Sequence, residues 1–157
     1  MSEVSEAIQA KCLAFGDRII KLNDYLLAQA SLPKLEIGSQ KADRRGKYQT
    51  SALSPHTSRV PVHLKSVATL SNQLLRSGTS IGANNAEACN AISKQDFRSK
   101  SYIALKEARE SLYWLELLHR NKYLTDEQFN SIYADAEELV RILVARCKKL
   151  DAELNKE

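Results

Sequence analysis

Apolar residues recur along most of this chain in alternating steps of three and four. Ile8, Cys12, Phe15, Ile19, Leu22 and Leu26 set that rhythm over about residues 3–30, which predicts a first helix with one buried seam. It returns with Leu64, Val67, Ser71, Leu74, Gly78, Ile81, Asn85 and Ala88, where small residues replace large ones in the second half, and this helix runs to about Asn90. After a break at Ser93, Phe97, Ser101, Ala104, Ala108, Ser111, Leu115 and Leu118 predict a third helix over about Lys94 to Arg120, with Ser93 as N-cap and Asp96 as first-turn acid. Thr125 and Gln128 form a capping box, and Leu124 and Phe129 stand at the staple positions. Phe129, Ile132, Ala136, Leu139, Leu143, Cys147 and Leu150 then carry the fourth seam.

Between the first two helices the rhythm stops. Residues 31–61 hold all three prolines (Pro33, Pro55, Pro61) with Gly38, Gly46 and many polar residues, and read as a flexible polar insert within a single domain spanning 1–157. The other connections are short, so consecutive helices should pack antiparallel. The expected fold is all-α, an up-down-up-down four-helix bundle with a long insert between helices one and two.

Composition narrows the function classes. Only 6% of residues are aromatic, so the core must be mainly aliphatic. The first residues lack a signal peptide's basic start and apolar run, and no apolar stretch is long enough to span a bilayer; a cytoplasmic protein with no membrane association is expected. Cys12, Cys89 and Cys147 are widely separated on apolar periodic segments, which points to reduced thiols, at least two of them packed. The net charge is +4, unevenly spread: residues 31–63 carry six bases against two acids, 92–124 seven against four, and 125–157 five against eight. Attraction to an acidic partner would therefore be local to the middle of the chain.

The segment Gln73-Leu74-Leu75-Arg76-Ser77-Gly78-Thr79-Ser80-Ile81-Gly82-Ala83-Asn84, followed by Ala86-Glu87-Ala88, then Ser93-Lys94-Gln95-Asp96-Phe97, Ala104-Leu105-Lys106-Glu107-Ala108-Arg109-Glu110 and Tyr113-Trp114-Leu115-Glu116-Leu117-Leu118, resembles the bacterial four-helix-bundle proteins first noted in intervening sequences of large-subunit ribosomal RNA genes. The resemblance implies a bundle that assembles into a ring, typically a homopentamer, without known catalytic activity. One branch of that family is similar to accessory proteins of diversity-generating retroelements, which bind nucleic acid and a reverse transcriptase through basic surface. Two features depart from the family pattern. Asn85 stands where relatives usually carry an apolar residue, and the insert stands where they have a short turn. A buried amide must find partners or cost roughly 1–3 kcal/mol.

Several residues imitate catalytic chemistry. Gly78-Thr79-Ser80-Ile81-Gly82 fits the G-x-S-x-G nucleophile elbow, but that motif needs a strand-to-helix turn, and helical periodicity runs through it here. Gly78, Gly82 and Ala86 are four apart and would let a neighbouring helix approach closely. Ser80 and Asn84 in the same string are likewise read as structural. Glu116 and His119 form a Glu-x-x-His pair, yet a di-metal bundle needs two such pairs and two further glutamates, so neither metal nor cofactor is expected. Glu87, in a helix nearly free of charge, should form an interhelical ion pair with Lys106 or Arg109.

A helical projection places Lys94, Arg98, Lys106, Arg109 and Arg120 with Tyr102 and Tyr113 within a sector of about 120° away from the seam of helix three. Cations among aromatic rings suit a nucleic-acid surface. Arg44, Arg45 and Lys47, with Lys34, Lys41 and Arg59, give the insert the character of a basic arm. Two readings stay open: an oligomeric, non-catalytic adaptor that binds RNA or DNA, with a reverse transcriptase as one partner, or a structural protein-interaction module without a nucleic-acid role.

Overall fold

The computed structural model describes residues 3–31 and 62–156. Four long helices account for nearly all of them: α1 (Glu3–Ser31), α2 (Val62–Cys89), α3 (Lys94–Arg120) and α4 (Asp126–Leu154). No strand occurs among the described residues. The insert, with Arg44, Arg45, Lys47 and the three prolines, lies outside them.

The chain's own start and stop signals fix the boundaries. Ser93 accepts a hydrogen bond from the Asp96 N–H at 3.1 Å, and the Thr125–Gln128 capping box forms in both directions at 3.0 and 3.2 Å. Leu124 is buried and Phe129 packs on the core. Helix α3 ends in a way its sequence does not advertise. Lys122 takes a left-handed φ of 62°, while the N–H groups of Lys122 and Tyr123 close onto the carbonyls of His119 and Leu118 at 2.9 Å each. This is a Schellman stop with lysine at the position glycine usually holds.

Cross-helix pairs set the directions. Gln9 meets Asn85 and Asn23 meets Ser71, so α1 and α2 are antiparallel; Ser77 meets Ser111 and Glu87 meets Lys100 between α2 and α3; Arg98 meets Asp151 and Glu116 meets Tyr133 between α3 and α4. The bundle closes least tightly between α1 and α4. There the half-exposed pairs Lys11–Glu138, at 3.0 Å, and Arg18–Asp135 span the gap, with Arg18 also donating to Ser131 Oγ at 2.8 Å.

The expected seams are the observed core. Phe15, Ile19, Leu74, Ile81, Leu115, Leu118, Leu139 and Leu143 are essentially inaccessible, and so are the small seam residues Ala104, Ala108 and Ala136. Cys12 and Cys147 are buried and Cys89 is partly covered; all three are free thiols. Burial raises the Cys12 thiol to about 11, so it packs as a small apolar group.

Helix α2 runs unbroken through Gly78-Thr79-Ser80-Ile81-Gly82, so Ser80 sits mid-helix and on no strand-to-helix turn. Its carbonyl accepts from Asn84 Nδ2 at 2.9 Å, an ordinary contact within one helical turn. The glycines face α1: a Cβ on Gly78 would lie 3.0 Å from Ile19 Cγ1, and one on Gly82 would lie 3.4 Å from Cys12 Cβ. These distances predict opposite outcomes for the same substitution. Gly78→Ala pushes into the inaccessible Ile19, and overpacking of about 1–3 kcal/mol outweighs a propensity gain of about 1 kcal/mol. Gly82→Ala meets only ordinary contact and should stabilise by about 0.5–1 kcal/mol. Urea denaturation of the two variants checks the pair, with Gly78→Ala expected below wild type and Gly82→Ala above it.

Candidate nucleic-acid interface

The structure divides the basic stripe of α3: Arg98 and Tyr102 lean on α4, and Lys106, Arg109, Tyr113 and Arg120 are exposed. Arg98, Tyr102 and Lys106 surround a shallow depression of about 380 Å³ with Ser99 and Ile103. Two of these three are already engaged. Arg98 Nε and Tyr102 Oη both donate to the Asp151 carboxylate of α4, each at 2.6 Å, and the Arg98 guanidinium lies over the Tyr102 ring at 4.9 Å. The hydrogen bonds from Tyr102 and Arg98 hold the Asp151 carboxyl below its ordinary 3.8, and the same bonds raise both donors.

Farther along the helix the cations are unencumbered. Lys106, Arg109 and Arg120 are exposed and make no ion pair among the described residues. From Lys106 to Arg120 they extend over about 21 Å of helix at 1.5 Å per residue. Tyr113 stands between them at 55% exposure, its ring edge-on to Trp114 with centroids 4.9 Å apart, while Trp114 Nε1 is anchored on Glu110 at 2.9 Å. Lys94 is exposed but lies apart, at the end of the bundle beside Cys89 and Phe97. Arg44, Arg45 and Lys47 fall outside the described residues.

Glu87 pairs with Lys100 rather than with Lys106 or Arg109. The register that sets Ser77 against Ser111 brings residue 100 opposite 87, whereas Lys106 and Arg109 lie about 9 and 14 Å farther along α3 and are exposed. Glu116 and His119 also separate. Glu116 accepts from Tyr133 Oη at 3.1 Å, while His119 pairs with Asp126 at 2.7 Å and stacks on Phe129 at 4.2 Å. Among the described residues no three His, Cys, Asp or Glu side chains are grouped to hold a metal, and no helix is long and apolar enough to cross a membrane.

The buried amide found partners that sequence reasoning missed. Asn85 is fully inaccessible; its Nδ2 donates to Gln9 Oε1 and its Oδ1 accepts from Arg146 Nη1 at 2.6 Å. Arg146 also lies over Phe97 at 5.4 Å. One polar cluster therefore joins all four helices. Heptad spacing from Leu139 to Arg146 places this arginine on the inner side of α4, and that was the available signal.

The model of the 23S rRNA-intervening sequence proteins matches residues 56–145, more than half of the chain. The chain belongs to that family. It is similar to a crystal structure at 1.70 Å of a protein of unknown function from the S23 ribosomal protein family of Bacteroides thetaiotaomicron. The two are 36% identical, with a TM-score of 0.66, over 92% of this chain and 98% of the other. No curated protein matches. The family assignment agrees with the long string of residues in α2 and α3 that carried the resemblance.

The Arg98–Tyr102–Asp151 junction has a consequence for stability. Because its folded carboxyl titrates below the unfolded one, Asp151 stabilises the bundle above the ordinary value of 3.8, and the contribution fades as acid protonates the folded group. The Tm difference between wild type and Asp151→Asn should be widest near neutral pH and close as the pH falls below 3.8.

Proposed function

We propose that this protein is a non-catalytic, self-assembling adaptor that binds nucleic acid through the outer flank of α3. The observation that carries the reading is the row Lys106, Arg109 and Arg120, exposed and without ion pairs among the described residues, with the exposed Tyr113 ring among them. Cations spaced along a rigid helix neutralise successive phosphates, and a ring held by its neighbours offers an unpaired base a stacking surface. Nothing in this arrangement reads base edges, so binding should be indifferent to sequence and sensitive to salt. Arg98 and Tyr102 enter the interface only by exchanging Asp151 for phosphate. Accessory service to a reverse transcriptase, through a face that holds a template, is one role within this class.

Self-assembly draws support from α1. Leu13 and Ile20 are one heptad apart and 60% and 46% exposed, with Gly16 between them facing open space. Two large apolar side chains in register on an outer face are what a second copy of a bundle would cover, and a closed ring such as a pentamer repeats that contact around an axis.

Gel-shift titration with structured RNA and duplex DNA at low and physiological salt tests the binding. Lys106→Glu/Arg109→Glu should weaken it at least tenfold and flatten the salt dependence by about two counterions. A folded wild type that shifts neither probe at low salt refutes the nucleic-acid role and leaves the protein-interaction module. Light scattering of Leu13→Glu/Ile20→Glu tests assembly separately: smaller particles than wild type are expected, and an unchanged mass assigns that face no part in it.

A further inference from the structure

Arg146 carries a half-buried positive charge, and no carboxylate among the described residues pairs with it. Its Nη1 is spent on a neutral amide, its Nη2 is buried without a hydrogen-bond partner, and no carboxylate pairs with it among the described residues. The titratable groups that act on it are the thiols of Cys89, Cys12 and Cys147. Burial depresses its pKa, yet a guanidinium stays protonated in a protein, so the charge cannot be discarded. Even half-buried, such a group is costly to leave without a counter-charge. Asn85, Gln9 and the Phe97 ring nevertheless fix its position from three other helices.

Beside this cation lies a cavity of about 640 Å³, in the loosely closed gap between the start of α1 and the end of α4. Its walls are mostly apolar, formed by Ile8, Phe97, Ile142 and Leu150, and Arg146 is part of its lining. Lys149 and Glu153 also line it and pair with each other one turn apart, at 3.9 Å, which leaves Arg146 as the lining cation without a carboxylate partner among the described residues. The volume is that of a small-molecule site, where apolar walls hold the body of a ligand and one or two polar groups orient it.

We infer that this cavity is a binding site for an apolar monocarboxylate, seated with its carboxylate at the Arg146 end and its hydrocarbon body against Ile8, Phe97, Ile142 and Leu150. A carboxylate there supplies the missing counter-charge. The walls demand the apolar tail. A phosphate or sulfate would satisfy the cation and leave the remaining surface uncovered, and a neutral alcohol would do the reverse. Charge and tail therefore have to come on one molecule. The site is separate from the α3 flank and does not depend on nucleic-acid binding.

Isothermal titration of the full chain with octanoate, acetate, octan-1-ol and inorganic phosphate tests the assignment. Octanoate should saturate one site per chain, with acetate, octan-1-ol and phosphate each at least tenfold weaker. Arg146→Met should lower octanoate affinity at least tenfold, with circular dichroism confirming the helical fold. Should that single variant unfold, Asn85→Leu/Arg146→Met carries the same comparison, because it removes the amide that would otherwise lose its partner. Three results overturn the inference: no saturable octanoate binding to wild type, octanoate binding no tighter than that of octan-1-ol or phosphate, or affinity that survives loss of the guanidinium in a folded variant.

Discussion

The close approach of α1 and α2 sets the terms for the rest of this bundle. Its core is short of aromatic mass, and large aliphatic side chains cannot fill a wide gap from one side only. The second half of α2 answers with Gly78 and Gly82, which let Ile19 and Cys12 of α1 sit against the helix surface. Dispersion falls off so steeply that a gap of 0.5–1 Å would forfeit roughly a quarter to a half of each contact. The small seam residues Ala104, Ala108 and Ser111 make the same concession on α3. Long helices of modest hydrophobicity thus become a dense interior, and Asn85 is brought within hydrogen-bonding reach of both Gln9 and Arg146.

Most of the fold was legible because its signals are local. The three-four rhythm gave four helices, and Ser93 and the Thr125–Gln128 box marked two starts through side chains that satisfy particular backbone N–H groups. The α3 stop was less legible, since Lys122 takes a left-handed conformation without being glycine. Pairings between helices were harder, because they depend on register, a property of two segments at once. Glu87 looked equally able to reach several bases on α3; only the crossing of Ser77 with Ser111 decides for Lys100. Asp151 was invisible as a partner of Arg98 and Tyr102 for the same reason. Arg146 was passed over because Cys147, next to it, fits the apolar seam and satisfies the periodicity alone.

A row of like charges read from a helical projection overstates what a surface offers. Projection counts Arg98 and Lys106 alike, but in the folded protein one already has a carboxylate at hydrogen-bonding distance and the other has none. An incoming phosphate must displace Asp151 to reach Arg98, exchanging one charged hydrogen bond for another with little net gain. At Lys106, Arg109 or Arg120 it displaces only water and counterions, which is the term that drives polyanion binding. Hence the electrostatic centre of the candidate interface lies toward the C-terminal half of α3, around Tyr113, and not at the depression beside Arg98.

The cluster at Asn85 follows a different logic from the surface pairs. Had stability been its whole purpose, apolar residues of similar volume at Asn85 and Arg146 would serve at least as well, since buried charge commonly costs more in desolvation than its contacts return. The arginine to which the amide bonds occupies an inner heptad position of α4, so each polar group gives the other its partner. Together they hold in place an arginine that lines an apolar cavity and has no carboxylate partner among the described residues. A polar group that is expensive to bury, rigidly positioned and incompletely satisfied is what a binding site requires before its ligand arrives. The loose closure between α1 and α4 is where that ligand has room to enter.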